Sequence, residues 1–136
     1  MLTLLDRHGG ARIRRHDVRR LLRNIAADAG ERWQIQLILV NDLESRRWNR
    51  RALRHDWSTD VISLQYAAGE GEVVVNVDRA RREAKRRGHT TAEEVLFLTA
   101  HGFLHLLGYD DHTPRARAHM LAEQSRQLAR LGYEVH

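Results

Sequence analysis

Between Thr99 and His112 the chain reads TAHGFLHLLGYDDH, and five of those residues have the types and spacing of a metal site. On a helix, residues four apart lie on one face about a turn from each other. His101 and His105 are so spaced, and two imidazoles on one face make a chelating pair for a tetrahedral cation such as zinc. Gly108 follows where such a helix would have to stop, because a glycine adopts the left-handed C-terminal conformation without steric cost. The chain can then turn back and offer a third donor. Asp111 has the spacing for one turn past the glycine, and His112 has the commoner zinc-binding side chain, so both stand as candidate third ligands. Three protein ligands leave a fourth position for water, the catalytic pattern, whereas a fourth protein ligand would make the metal structural.

Two histidines four apart also occur on solvated helix faces. The flanks argue against that here: Val95, Leu96, Leu98, Leu104, Leu106 and Leu107 make this the most apolar helix of the chain, and polar groups inside such a helix need partners. Gly102 occupies the place where zinc peptidases of the H-E-x-x-H type carry the glutamate base, which removes support for peptide hydrolysis.

The elements that must position these residues follow from periodicity. LTLLD suits a short strand; Asp17 is placed to cap a helix through VRRLLRNIAADAG that Gly30 closes. WQIQLILV reads as a central strand, and Asn41 or Asp42 opens a helix over LESRRWNRRAL. VISLQY and the β-branched EVVVNV read as strands around a turn flanked by Gly69 and Gly71. Asp78 is placed to cap the next helix, RARREAKRRG, and Thr90 or Thr91, with Glu93 or Glu94 in capping-box position, opens the histidine helix. Pro114 begins a last helix ending at Gly132. Interleaved strands and helices predict one α/β (α+β) domain over residues 1–136, with a small mixed sheet of about four strands, about five helices, and a metal cleft beside the His-x3-His helix.

With 136 residues, 42% apolar and 30% charged, the chain can bury a core without staples. It has no cysteine, so disulfides and thiolate metal sites are excluded. The apolar runs are too short or interrupted to span a bilayer, no leader pattern is evident, and a cytoplasmic location is expected. A formal net charge of +5, almost all of it arginine, suits a polyanionic partner. RIRRHDVRRLLR and RRWNRR are the basic runs, and the few aromatics offer no evident base-stacking platform.

These residues carry a family resemblance. HGFLHLLGYDDH is similar to the H-G-x-L-H-L-x-G-Y-D-H signature of the YbeY family of bacterial rRNA maturation factors. NRRALRHDWSTDVISL resembles that family's segment ending in D-x-P-T-D-V-L-S-F, and GEVVVNVDRARREA occupies the place of its glycine–acidic–apolar strand and following helix. The likeness runs roughly from Ile35 to Tyr133.

The resemblance implies a zinc-dependent, single-strand-specific endoribonuclease acting in 3′-end maturation of small-subunit rRNA and in ribosome quality control, with one zinc ion per chain. The partners it implies are ribosomal RNA and the small ribosomal subunit, with ribosomal or GTPase assembly proteins as further ones, and neither membrane nor DNA. His101 and His105 match the first two metal ligands. The signature's third histidine falls at Asp111, which is therefore the first choice, with His112 one place late as the alternative. The family's functional arginine falls at Leu53; Arg54, flanking it, is the first candidate for the catalytic arginine and Arg51 the second, and both are candidate RNA contacts through the planar guanidinium fork. Asp110 is expected to orient a ligand imidazole or to cap the last helix, and Thr59, Asp60 and Ser63 to shape the cleft. The competing classes are a non-catalytic ribosome assembly factor with a structural metal, and a metal hydrolase of a small phosphoester or amide.

Overall fold

The computed structural model describes residues 2–53 and 59–136. In chain order the elements are β1 (Leu2–Asp6), α1 (Arg15–Ala29), β2 (Gln34–Val40), α2 (Asp42–Leu53), β3 (Val61–Ala67), β4 (Glu70–Asn76), α3 (Val77–Arg87), α4 (Thr91–Leu106) and α5 (Pro114–Arg130). The four strands form one sheet in the order β1-β2-β4-β3, with β3 antiparallel at one edge and the other pairs parallel. This is the expected mixed sheet and helix count.

Strand side chains alternate between faces, and both faces of the central pair are covered. Ile35, Leu37, Leu39, Val73 and Val75 join the larger core with α1, α4 and α5. Ile38, Val40, Val74 and Ile62 pack on the other side with Trp48 of α2. Double coverage is why LILV and VVV are uninterrupted apolar runs rather than alternating ones.

Three expected helix starts and turns move. α1 begins at Arg15, so Asp17 lies inside its first turn, buried, where it accepts a 2.6 Å hydrogen bond from Tyr133 Oη rather than capping the helix. α3 is capped by Asn76, whose Oδ1 accepts from Arg79 N; Asp78 instead accepts from the Asp42 backbone and pairs with His8 and Arg81. Gly71 is a β4 residue, not a turn residue: a Cβ there would lie 2.9 Å from Leu64 O and from Leu106 Cδ1. Thr90 and Glu93 do form the capping box of α4, and Thr113 caps α5 ahead of Pro114.

α4 is the pivot of the helical layer and lies against β3 and β4 with unusual closeness at Gly102. The Gly102 carbonyl accepts a 2.7 Å hydrogen bond from Ser63 Oγ. A Cβ at that position would sit 2.6 Å from Val73 Cγ1 and 3.1 Å from both Ser63 Oγ and Val61 Cγ2. The place a peptidase gives to its glutamate is here pressed into the sheet.

Gly102→Ala gains about 1 kcal/mol of helix propensity, but Val73 is fully buried and cannot retreat. Overpacking of this kind costs about 1–3 kcal/mol. A net fall in unfolding free energy by denaturant titration is the expected outcome; unchanged or increased stability would contradict the contact.

Candidate metal centre

The last turn of α4 and the residues beyond it assemble the donors. Leu107 closes the helix, and Gly108, at φ +103°, takes the left-handed conformation. Tyr109 N then donates back to Leu104 O at 3.0 Å, the long bond of a Schellman ending. This reversal does two things. It aims the Tyr109 carbonyl at the His105 ring, and it brings Asp111 under both histidines.

The Nε2 atoms of His101 and His105 stand 3.0 Å apart, and Asp111 Oδ2 is 3.8 Å from each. One donor atom from each of the three residues lies within 4.8 Å of the others. All three side chains are partly exposed, so the group opens to solvent.

The opposite edge of each ring fixes its tautomer. Gln124, buried on α5, donates through Nε2 to Phe97 O at 3.1 Å, which turns its Oε1 toward His101 Nδ1 at 2.9 Å. An amide oxygen only accepts, so His101 Nδ1 carries the proton. His105 Nδ1 faces Tyr109 O at 3.0 Å and by the same reasoning carries its own. In the neutral rings both Nε2 atoms are then lone pairs pointing at each other across 3.0 Å, with a carboxylate beneath. That donor set fits a cation: a positive charge between the rings turns a repulsion into ligation, and a metal-ligating histidine commonly donates its other N–H to an acceptor in this way.

Burial first, and the neighbouring His101 second, hold the His105 imidazole below its ordinary range; Asp111 opposes them. The neutral, ligating form therefore persists to lower pH than in a free imidazole.

Sequence reasoning missed Gln124, Tyr109 and Arg117. A glutamine in the row Met120, Gln124, Leu128, all buried, was the available signal, since a buried polar group in an apolar helix face needs a partner. Arg117 holds the Asp111 backbone carbonyl at 3.4 Å, and the Tyr109 ring stacks on His119 at 5.5 Å. Asp110 does not reach an imidazole; its Oδ1 accepts from His112 N at 3.1 Å. His112 itself is exposed and outside the donor group. Asp60 lines a cleft of about 560 Å³ with His101, Gln124 and Arg87, whereas Ser63 ties α4 to the sheet and Thr59 bonds Ser45. Arg51 is exposed on the last turn of α2; Arg54 lies outside the described residues.

The model of a family described as Endoribonuclease YbeY matches residues 8–132. Proteins named Endoribonuclease YbeY are similar to the chain. That of Bacillus licheniformis is 35% identical over 133 residues, covering 85% of this chain and 84% of the relative. That of Solibacter usitatus is 34% identical over 127 residues, covering 93% and 85%. A solution structure of a Thermotoga maritima protein matches with a TM-score of 0.67 and 25% identity, over 94% of this chain and 87% of the other.

Cation affinity, measured by competition with a chromophoric chelator, is expected to separate the roles. Gln124→Leu, which removes the acceptor orienting His101 together with the bond to Phe97 O and leaves all three donors in place, lowers affinity about 10–100-fold. Asp111→Ala lowers it, and His112→Ala leaves it unchanged; the reverse order for the last two would exchange their assignments. A second expectation concerns pH. The unfolded chain takes up the His105 proton at about 6.5, the folded chain only at lower pH, so between those values the unfolded state binds more protons. Metal-free protein therefore loses stability as pH falls through about 6.5 toward the folded value. Thermal midpoints recorded in chelator should show this slope, and His105→Gln should flatten it.

Proposed function

The chain belongs to the Endoribonuclease YbeY family, and from that premise we propose that it is a zinc-dependent, single-strand-specific endoribonuclease acting in 3′-end maturation of small-subunit rRNA and in ribosome quality control. His101, His105 and Asp111 hold one zinc ion. The observation that carries this reading is the pair of facing Nε2 lone pairs with Asp111 beneath them. Among the described residues the donor group has three members, the number that leaves zinc a place for water and favours catalysis over a structural role.

Bound there, zinc supplies Lewis acidity toward a phosphoryl oxygen and lowers the pKa of a coordinated water toward about 7. The protein's own residues do the rest. Gln124 and the Tyr109 carbonyl keep both rings in the ligating tautomer. Asp111, as an anionic third donor, holds the cation more firmly than an imidazole would and softens its pull on the phosphate. The position directly after the first histidine, where a zinc peptidase carries its glutamate base, is Gly102, packed against the sheet. Arg54, or failing it Arg51 at the end of α2, steadies the phosphate through its guanidinium fork. The cleft beside His101, walled by Asp60 and Arg87, receives the adjoining nucleotide. The setting is cytoplasmic, with the small ribosomal subunit as the principal partner and ribosomal or GTPase assembly proteins beside it.

The test is cleavage of a structured RNA bearing a single-stranded tail by zinc-loaded protein, chelated protein and the His105→Ala variant. Tail cleavage by the loaded protein alone is expected, weakening steeply with salt because phosphate contacts release counterions. Equal cleavage in all three preparations would identify a contaminating nuclease and end the enzymatic reading.

A further inference from the structure

Away from the metal centre, a groove of about 650 Å³ opens between α1 and the start of β2. Its floor is apolar: Leu22, Ala26, Ile35 and the edge-to-face pair Trp33–Phe103, whose ring centroids are 5.8 Å apart at 82°. Phe103 sits two residues from each site histidine, about 200° around the helix, so groove and metal centre occupy opposite flanks of α4. Arg19 and Arg23 stand on one wall and Arg32, on the connection to β2, completes the rim.

Many surface arginines are paired with carboxylates, and those at the groove are not. On α3 and α5, Arg81, Arg82, Arg86, Arg126 and Arg130 are all matched to carboxylates. Arg15, Arg19, Arg23 and Arg32 are exposed, and among the described residues none of their side chains has a hydrogen bond or ion pair. Arg15, Arg19 and Arg23 form one row at i, i+4, i+8, about 6 Å apart along the axis. Like charges at that spacing destabilise a helix; the carboxylate on the groove rim, Glu31, accepts a 2.9 Å hydrogen bond from Trp33 Nε1 and forms no ion pair with them among the described residues.

We propose that this groove and its arginine row form a second RNA site, distinct from the cleavage centre, that grips a single-stranded segment of the substrate. The proposal rests on the endoribonuclease reading for the choice of ligand. A regular row of one sign suits a ligand whose charge also repeats, and a guanidinium pairs with phosphate in bidentate fashion. An apolar groove, to which the nearly buried Trp33 adds only its exposed remainder, takes unstacked bases by apolar contact, and single strands offer these where duplexes do not. The open pocket is ligand-sized. An acidic amphipathic helix of a partner protein would use the same chemistry less completely, because its carboxylates need not repeat along the row.

The experiment is fluorescence anisotropy of a labelled single-stranded RNA with the intact chain, in chelator so that no turnover occurs. Arg19→Gln/Arg23→Gln should raise Kd about tenfold and flatten the slope of log K against log salt by about 1.4, at about 0.7 per phosphate contact on a single strand. Ala27→Phe, which fills the groove mouth without changing charge, should weaken binding and leave that slope unchanged. Arg81→Gln/Arg86→Gln, the same charge removed from α3, should change neither. Thermal midpoints and cation content serve as folding checks. Unchanged affinity in the first variant, or equal loss in both doubles, would overturn the site. Unchanged RNA affinity with loss of an acidic amphipathic peptide would give the groove to a protein partner. RNA binding through the groove without metal-dependent cleavage would sink the enzymatic reading alone.

Discussion

Two imidazole nitrogens facing each other at 3.0 Å, each deprotonated on the facing side, are a repulsive arrangement that a protein must hold in place. Three separate parts of the fold do the holding. The sheet fixes α4 through Gly102 and Ser63. α5 supplies Gln124, itself oriented by a carbonyl of α4. The Gly108 reversal supplies the Tyr109 carbonyl and the Asp111 carboxylate. Each of the three constrains the orientation or protonation of a ring, and together they make a donor group of what would otherwise be an ordinary pair of surface histidines.

Much of this was legible in the sequence because it is local. The histidine spacing, the terminating glycine and the capping box at Thr90 are all set within a few residues, and the apolar runs of β2 and β4 announce strands covered on both faces. What escaped were arrangements made by tertiary contact. Asp17 and Asp78 have the chemistry of helix caps, but each is used by a partner far along the chain, Tyr133 and His8 respectively. Gly71 reads as turn chemistry until the close approach of Leu106 and the Leu64 carbonyl is seen. Gln124 is 23 residues from His101, and no local rule joins them.

A carboxylate as third donor, in place of a third imidazole, would also change the charge of a metal site built on these residues. With neutral imidazoles and one carboxylate, a divalent ion would retain a single net positive charge, against two in an all-histidine shell. A less positive centre would attract a phosphodiester less strongly through long-range charge, and more of the hold on substrate would then come from arginines elsewhere on the protein. The chain is rich in these, with a formal net charge of +5.

The partnership of His101 with α5 also sets an order in time. Synthesis proceeds from the N-terminus, and segments fold as they emerge. The sheet and α4 are complete before α5 exists, so a nascent chain carries both histidines before it carries the residue that fixes the first of them. The ordering of the centre is thus deferred until α5 has followed α4 out of the ribosome.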